Sequence, residues 1–210
     1  MVERIGFRLV LPPGWSSVPL DDNTEAPLRE LARRVASASQ PANRARVEHF
    51  VREQLQSLSQ QASRVGGQDL LLPTELFQGL RLPMSIVIAA SPAQPSGRAQ
   101  SDALLAFAGQ HDDSQATEVG GVLAVRGVVD VAAKPDDSDL SRIFASRRIS
   151  YVFAAPLPTH QLLMATCSIE RFDYDSSGEV LESMELLFDA IIGTLRFERP
   201  KASLEVETPA

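Results

Sequence analysis

Residues 82–90, Leu-Pro-Met-Ser-Ile-Val-Ile-Ala-Ala, constrain the fold of this chain more than any other stretch. In a strand, side chains alternate between faces, so Met84, Ile86 and Ile88 lie on one side and Val87 and Ala89 on the other. Both sides are apolar. A strand of that kind needs cover front and back, and amphipathic helices are the expected cover.

The rest of the chain supplies those parts. Residues 6–11 alternate Phe7, Leu9 and Leu11 against Arg8 and Val10, and Pro12-Pro13-Gly14 ends the strand. Trp15, the only tryptophan, is expected to plug the end of the core. A first helix is capped by Thr24, tolerates Pro27 in its first turn, and turns Leu28, Leu31, Ala32 and Val35 inward. A second runs over residues 41–64 with Val47, Phe50, Val51, Leu55, Leu58 and Ala62 as its core face, and Gly66-Gly67 stops it. Its length, ~33 Å, would cross a whole sheet. Strands are read at 69–72, 80–90 and 121–132, and a short helix with Leu104, Leu105 and Phe107 at 101–108. Residues 150–155 and 161–170 are joined by the short Pro156–Thr159 connection, so those two strands should pair antiparallel. In the last helix Val180, Leu181, Met184, Leu187, Phe188, Ile191 and Ile192 recur at three- and four-residue spacing, each contributing roughly 1.5–3 kcal/mol on burial. Ser176 or Ser177 would cap it, Gly193 ends it, and residues 194–197 add a closing strand. The expected fold is therefore α/β in the wide sense (α+β): one domain over residues 1–198 with a central, mainly antiparallel β-sheet and helices on both faces. Residues 199–210 are expected to form a frayed tail.

Composition narrows the setting. The 210 residues are 44% hydrophobic and 22% charged, a globular balance. No apolar run approaches the about 20 residues of a membrane span. The opening Met1-Val-Glu-Arg-Ile has no apolar region of a signal peptide, so a cytoplasmic protein is expected. One cysteine, Cys167, excludes an internal disulfide framework. Net charge −7 argues against nucleic acid, which needs clustered Lys and Arg. The basic residues are nearly all arginine, with Lys134 and Lys201 the exceptions, a bias that a GC-rich bacterial genome produces by itself.

Chemistry-bearing motifs are scarce. The sequence has no G-x-S-x-G, P-loop, G-x-G-x-x-G or H-E-x-x-H pattern. Cys167 with His160 has the composition of a thiolate and its base. The cysteine, however, sits mid-strand beside Ala165 and Ile169, where a small hydrophobe belongs. Asp173-Tyr-Asp175-Ser-Ser177-Gly178 copies the first half of an EF-hand loop, but the twelfth position, where calcium needs a bidentate carboxylate, is Met184. A capping turn is the simpler reading, as is a solvated loop for His111-Asp112-Asp113. No catalytic residue, cofactor or metal site is assigned.

Charge is unevenly divided. Residues 29–64 carry seven arginines against Glu30, Glu48 and Glu53, whereas residues 170–189 carry seven acids against Arg171. Glu179, Glu182, Glu185 and Asp189 lie on the last helix with no base beside them. Two readings follow: an acidic interaction face for a protein partner with a basic surface, or a face that is solvated or complements the protein's own basic helices.

The opening strand with its Pro-Gly-Trp turn (Phe7 to Trp15), the later strands, and an amphipathic helix closed by Phe188-Asp-Ala-Ile-Ile-Gly-Thr-Leu-Arg-Phe197 resemble the PsbP-like superfamily, the group of PsbP, a Ran-binding nuclear transport factor and LpqN. The stretch from Tyr151 to Phe197 is similar to uncharacterised actinobacterial proteins. The resemblance implies an antiparallel sheet between helices and a role in binding other proteins rather than catalysis. The chain departs from the group in lacking a lipoprotein cysteine near its start and in the size of its second helix. The expected function is a non-catalytic interaction or accessory, chaperone-like module of a bacterial assembly or secretion process. The alternative is a small-molecule-binding domain or a hydrolase using acids such as Asp173 or Asp175.

Overall fold

Among the described residues seven strands hydrogen-bond in the order Trp15–Pro19, Gly67–Pro73, Met84–Ala90, Leu162–Glu170, Ser146–Ala154, Val122–Val131 and Gln115–Val119, every neighbouring pair antiparallel. The computed structural model describes residues 4–37, 39–75, 82–91, 97–132, 145–156, 161–171 and 178–198. In chain order these are β1 (Phe7–Arg8), β2 (Trp15–Pro19), α1 (Glu25–Ser37), a 3-10 turn (Pro41–Asn43), α2 (Arg44–Arg64), β3 (Gly67–Pro73), β4 (Met84–Ala90) and α3 (Gly97–Ala108). They continue with β5 (Gln115–Val119), β6 (Val122–Val131), β7 (Ser146–Ala154), β8 (Leu162–Glu170), α4 (Glu179–Gly193) and β9 (Arg196–Phe197). The class is the expected α+β. The expected tail, 199–210, lies outside the described residues.

Pleat parity decides which helix covers which face. Ile86 of β4, Cys167 of β8 and Ile149 of β7 are register partners, so they share a face. That face forms one core with Leu181, Met184, Phe188, Ile191 and Ile192 of α4. The opposite face is covered in two places. At the β2–β3 end, Val18, Leu70 and Leu72 pack with Leu28, Leu31 and Ala32 of α1 and Leu55 of α2. At the β6–β7 end, Val125 and Val152 pack with Leu104 of α3. Between them β4 and β8 present Ser85, Val87, Thr166 and Ser168, all only partly buried.

Several expectations change here. The alternation at 6–11 holds, with Phe7, Leu9 and Leu11 packed on the core and Val10 68% exposed. Only Phe7–Arg8 pair, however, and they pair with β9 in a separate two-stranded ribbon. The N–H of Val10 donates instead to the Thr194 side chain at 2.9 Å. Trp15 opens β2 and is only partly buried. β2 and β5 have no sequence periodicity to announce them: in β2 only Val18 is buried, and β5 is an exposed edge save Val119. Thr24 precedes α1 as expected, although its hydroxyl oxygen accepts from the N–H of Asp21. α4 begins on Gly178 in the left-handed region with no side-chain cap, and Ser176 and Ser177 lie outside the described residues. Leu105 of α3 is 71% exposed.

The largest correction concerns α2. Its buried residues are Leu55, Ser59 and Ala62, while Phe50 and Leu58 are exposed. The helix packs chiefly on α1 and on β3 at one end of the sheet. Its apolar stripe is thus wider than its neighbours cover.

Candidate functional site

Cys167 lies at the centre of the α4-covered face with no solvent exposure. Burial, with the carboxylates Asp189 and Glu185 nearby, pushes its thiol pKa well above the ordinary value. A thiol held neutral and out of reach cannot serve as a nucleophile. His160, Asp173 and Asp175 lie outside the described residues. Met184, at the twelfth position of the EF-hand-like run, is a core side chain. His111 folds back on α3: its Nδ1 is 2.9 Å from the carbonyl of Phe107, and its ring lies tilted against the Phe107 ring, centroids 4.3 Å apart. A Cβ on Gly127 would stand 2.8 Å from that imidazole, so the glycine makes room for it. Asp112 and Asp113 are exposed, and among the described residues no group of three His, Cys, Asp or Glu side chains converges on a metal site.

The four acids of α4 divide. Asp189 accepts from Arg126 Nε at 3.0 Å and from the Tyr151 hydroxyl at 2.9 Å. Glu185 accepts from Arg147 Nη1 at 2.6 Å and also faces Arg126 at 3.4 Å. Arg147 continues to Asp130, and Arg171 reaches the same carboxylate at 3.4 Å. This ladder fastens α4 to β6 and β7. Burial and Asp189 raise the Tyr151 pKa, and the Arg147 hydrogen bond holds the Asp130 carboxyl below its usual range. Glu179 and Glu182 remain exposed. The arginines that match this acidic helix come from the sheet, whereas Arg29 and Arg33 of α1 pair within their own helix with Glu25 and Glu30.

A groove that the sequence did not announce runs between α2 and the sheet, with a volume of about 650 Å³. Phe50, Val51, Leu55 and Leu58 form the α2 wall, and Leu31 and Val35 of α1, Leu72, Leu82 and Pro83 add apolar surface. Ser85 and Ser168, register partners on β4 and β8, make a short-chained floor. Glu170, the last residue of β8, lines the groove as an exposed side chain whose carboxyl pKa is raised by partial burial. The arrangement offers apolar contact, the hydroxyls of Thr74, Ser85 and Ser168, the Gln54 amide and the Glu170 carboxylate. Among the described residues it sets no base beside a nucleophile.

A second cleft, of about 570 Å³, lies under β1. Asp69, 7% exposed, accepts from Arg4 Nη2 at 3.0 and 2.9 Å through its two oxygens. Burial raises its carboxyl pKa, opposed by Arg4 and Ser17. Asp69 and Glu170 were both missed by motif reading, since neither stands in a pattern with other polar residues. In the sequence the groove leaves only indirect traces, the width of the α2 stripe and the Ser168 hydroxyl on a largely apolar strand. A scan against protein-family models finds no match for the chain, and a search of curated proteins finds none either.

Proposed function

We propose that this chain is a non-catalytic cytoplasmic protein-interaction module, an accessory or chaperone-like factor of a bacterial assembly or secretion process, which takes an apolar segment of a partner protein into the α2 groove. The observation that carries this reading is Phe50, an aromatic side chain left 59% exposed on the rim of an apolar trough. Contiguous exposed apolar surface of this kind marks interaction sites. A small-molecule pocket surrounds most of its ligand. A trough whose largest ring stands in solvent suits a segment that supplies the missing cover. The α4 ladder supports the same placement, because Glu185 and Asp189 are already engaged by Arg147 and Arg126. The resemblance to the PsbP-like group supports protein binding in kind.

Photo-crosslinking in the native host tests the proposal. Benzoylphenylalanine placed at position 50 or 58 should give an adduct with one common partner, and the same probe at exposed Leu105 or Leu186 should not. No adduct at 50 and 58, or the same adduct at 186, overturns it. The small-molecule alternative would place its ligand in the second cleft, against the Arg4–Asp69 pair. There both carboxylate oxygens are taken by Arg4, and ligand-dependent thermal stabilisation abolished by Asp69→Asn would be its signature.

A further inference from the structure

We infer that the segment taken by the α2 groove is an amphipathic helix that sets a lysine or arginine against Glu170. The inference rests on the groove reading above and adds the chemistry of the partner. Glu170 is fixed at the end of the groove, since its N–H donates to the Pro83 carbonyl at 2.9 Å. Glu170 is exposed, whereas the less exposed carboxylates each hold an arginine: Asp69 at 2.9 Å, Glu185 at 2.6 Å and Asp189 at 3.0 Å. Among the described residues Glu170 holds none. Arg148 lies on the neighbouring strand opposite Ser168, is exposed, and makes no ion pair with it. An exposed carboxylate at the end of apolar walls, with no cation paired to it among the described residues, is complementary to one that an incoming chain supplies.

Shape points to a helix. The α2 wall from Phe50 to Leu58 spans about 12 Å at 1.5 Å per residue, the length of two helical turns. Apolar anchors at i, i+3, i+4 and i+7 fit such a wall, and the short floor of Ser85 and Ser168 lets a backbone approach. A cation one turn beyond the last anchor then meets the carboxylate.

Titration calorimetry with two capped peptides of one leucine/alanine helical stripe, differing only in Lys or Glu at the flanking position, tests this against wild type, Glu170→Gln, Glu170→Lys and Leu58→Gln. The Lys peptide should bind wild type about tenfold more tightly than the Glu peptide. The preference should vanish in Glu170→Gln and reverse in Glu170→Lys. Equal affinity for the two peptides, or a preference that survives Glu170→Gln, overturns the charge inference and leaves the groove reading standing if both peptides lose binding to Leu58→Gln. Absence of binding by either peptide, or binding indifferent to Leu58→Gln, overturns both.

Discussion

The Oδ1 atom of Asp189 receives two hydrogen bonds from the sheet, from Arg126 Nε at 3.0 Å and from the Tyr151 hydroxyl at 2.9 Å, so one carboxylate oxygen locks α4 onto β6 and β7. The Arg126 side chain is only 14% exposed, and losing its partner leaves a desolvated guanidinium with Glu185 alone. Tyr151→Phe should cost about 1 kcal/mol and Asp189→Ala about 1–3 kcal/mol in urea unfolding. The double variant should fall short of their sum by about 0.5–2 kcal/mol. Strict additivity would separate the two groups.

The β5–β6 hairpin gives a backbone test. Gly120 and Gly121 both have positive φ, at 63° and 80°, which is the geometry of a two-residue turn between Val119 and Val122. A Cβ on Gly120 would also lie 2.7 Å from the Leu195 carbonyl oxygen, whereas one on Gly121 would meet nothing within 4 Å. Gly120→Ala should therefore destabilise by at least about 1–2 kcal/mol, and Gly121→Asn by much less, since Asn tolerates the left-handed region. Equal melting temperatures for the two variants would contradict the turn geometry.

Sequence periodicity revealed the elements that bury one clean face. β8 alternates without error between Cys167-type and Thr166-type positions, and α4 places Leu181, Met184, Phe188, Ile191 and Ile192 inward. It failed for β2 and β5, whose residues are set by neighbours rather than by a pattern. The candidate site was hidden for a different reason. Phe50 and Leu58 continue a helical stripe that looks like core, and only the position of α2 at one end of the sheet leaves them uncovered. The pairing of Glu185 and Asp189 with Arg147 and Arg126 spans 38 and 63 residues, a separation at which charge spacing carries no information.

Two carboxylates should respond to pH in opposite senses. Burial raises the folded pKa of Glu170, so its ionised form is disfavoured in the folded state and stability falls as pH rises from its ordinary value, about 4.3, through the raised one. Glu170→Gln should melt higher than wild type at neutral pH, with the difference disappearing below about pH 4. Arg147 lowers the Asp130 pKa, so that stabilisation is present above its ordinary value, about 3.9, and is lost as pH falls through the depressed one. Asp130→Asn should melt lower than wild type at neutral pH and match it in strong acid. Melting curves across pH 2–7 check both signs.

Cys167 offers a probe of the α4 interface. With no exposure and a raised thiol pKa, it should not react with a maleimide in the native protein and should react fully in denaturant. Asp189→Ala should speed native-state labelling, because the thiol is reached only when α4 lifts from the sheet. Rapid labelling of the folded wild type would contradict the burial.

Whether the α2 trough receives a helix is settled most directly by mapping amide and methyl chemical shifts while the Lys-bearing amphipathic peptide is titrated in. Shifts concentrated on Val51, Leu55, Leu58, Ser85, Ser168 and Glu170, with Leu105 and the outer side of α4 unmoved, are the predicted result. Shifts centred on Glu179 and Glu182, or none at saturating peptide, would contradict it.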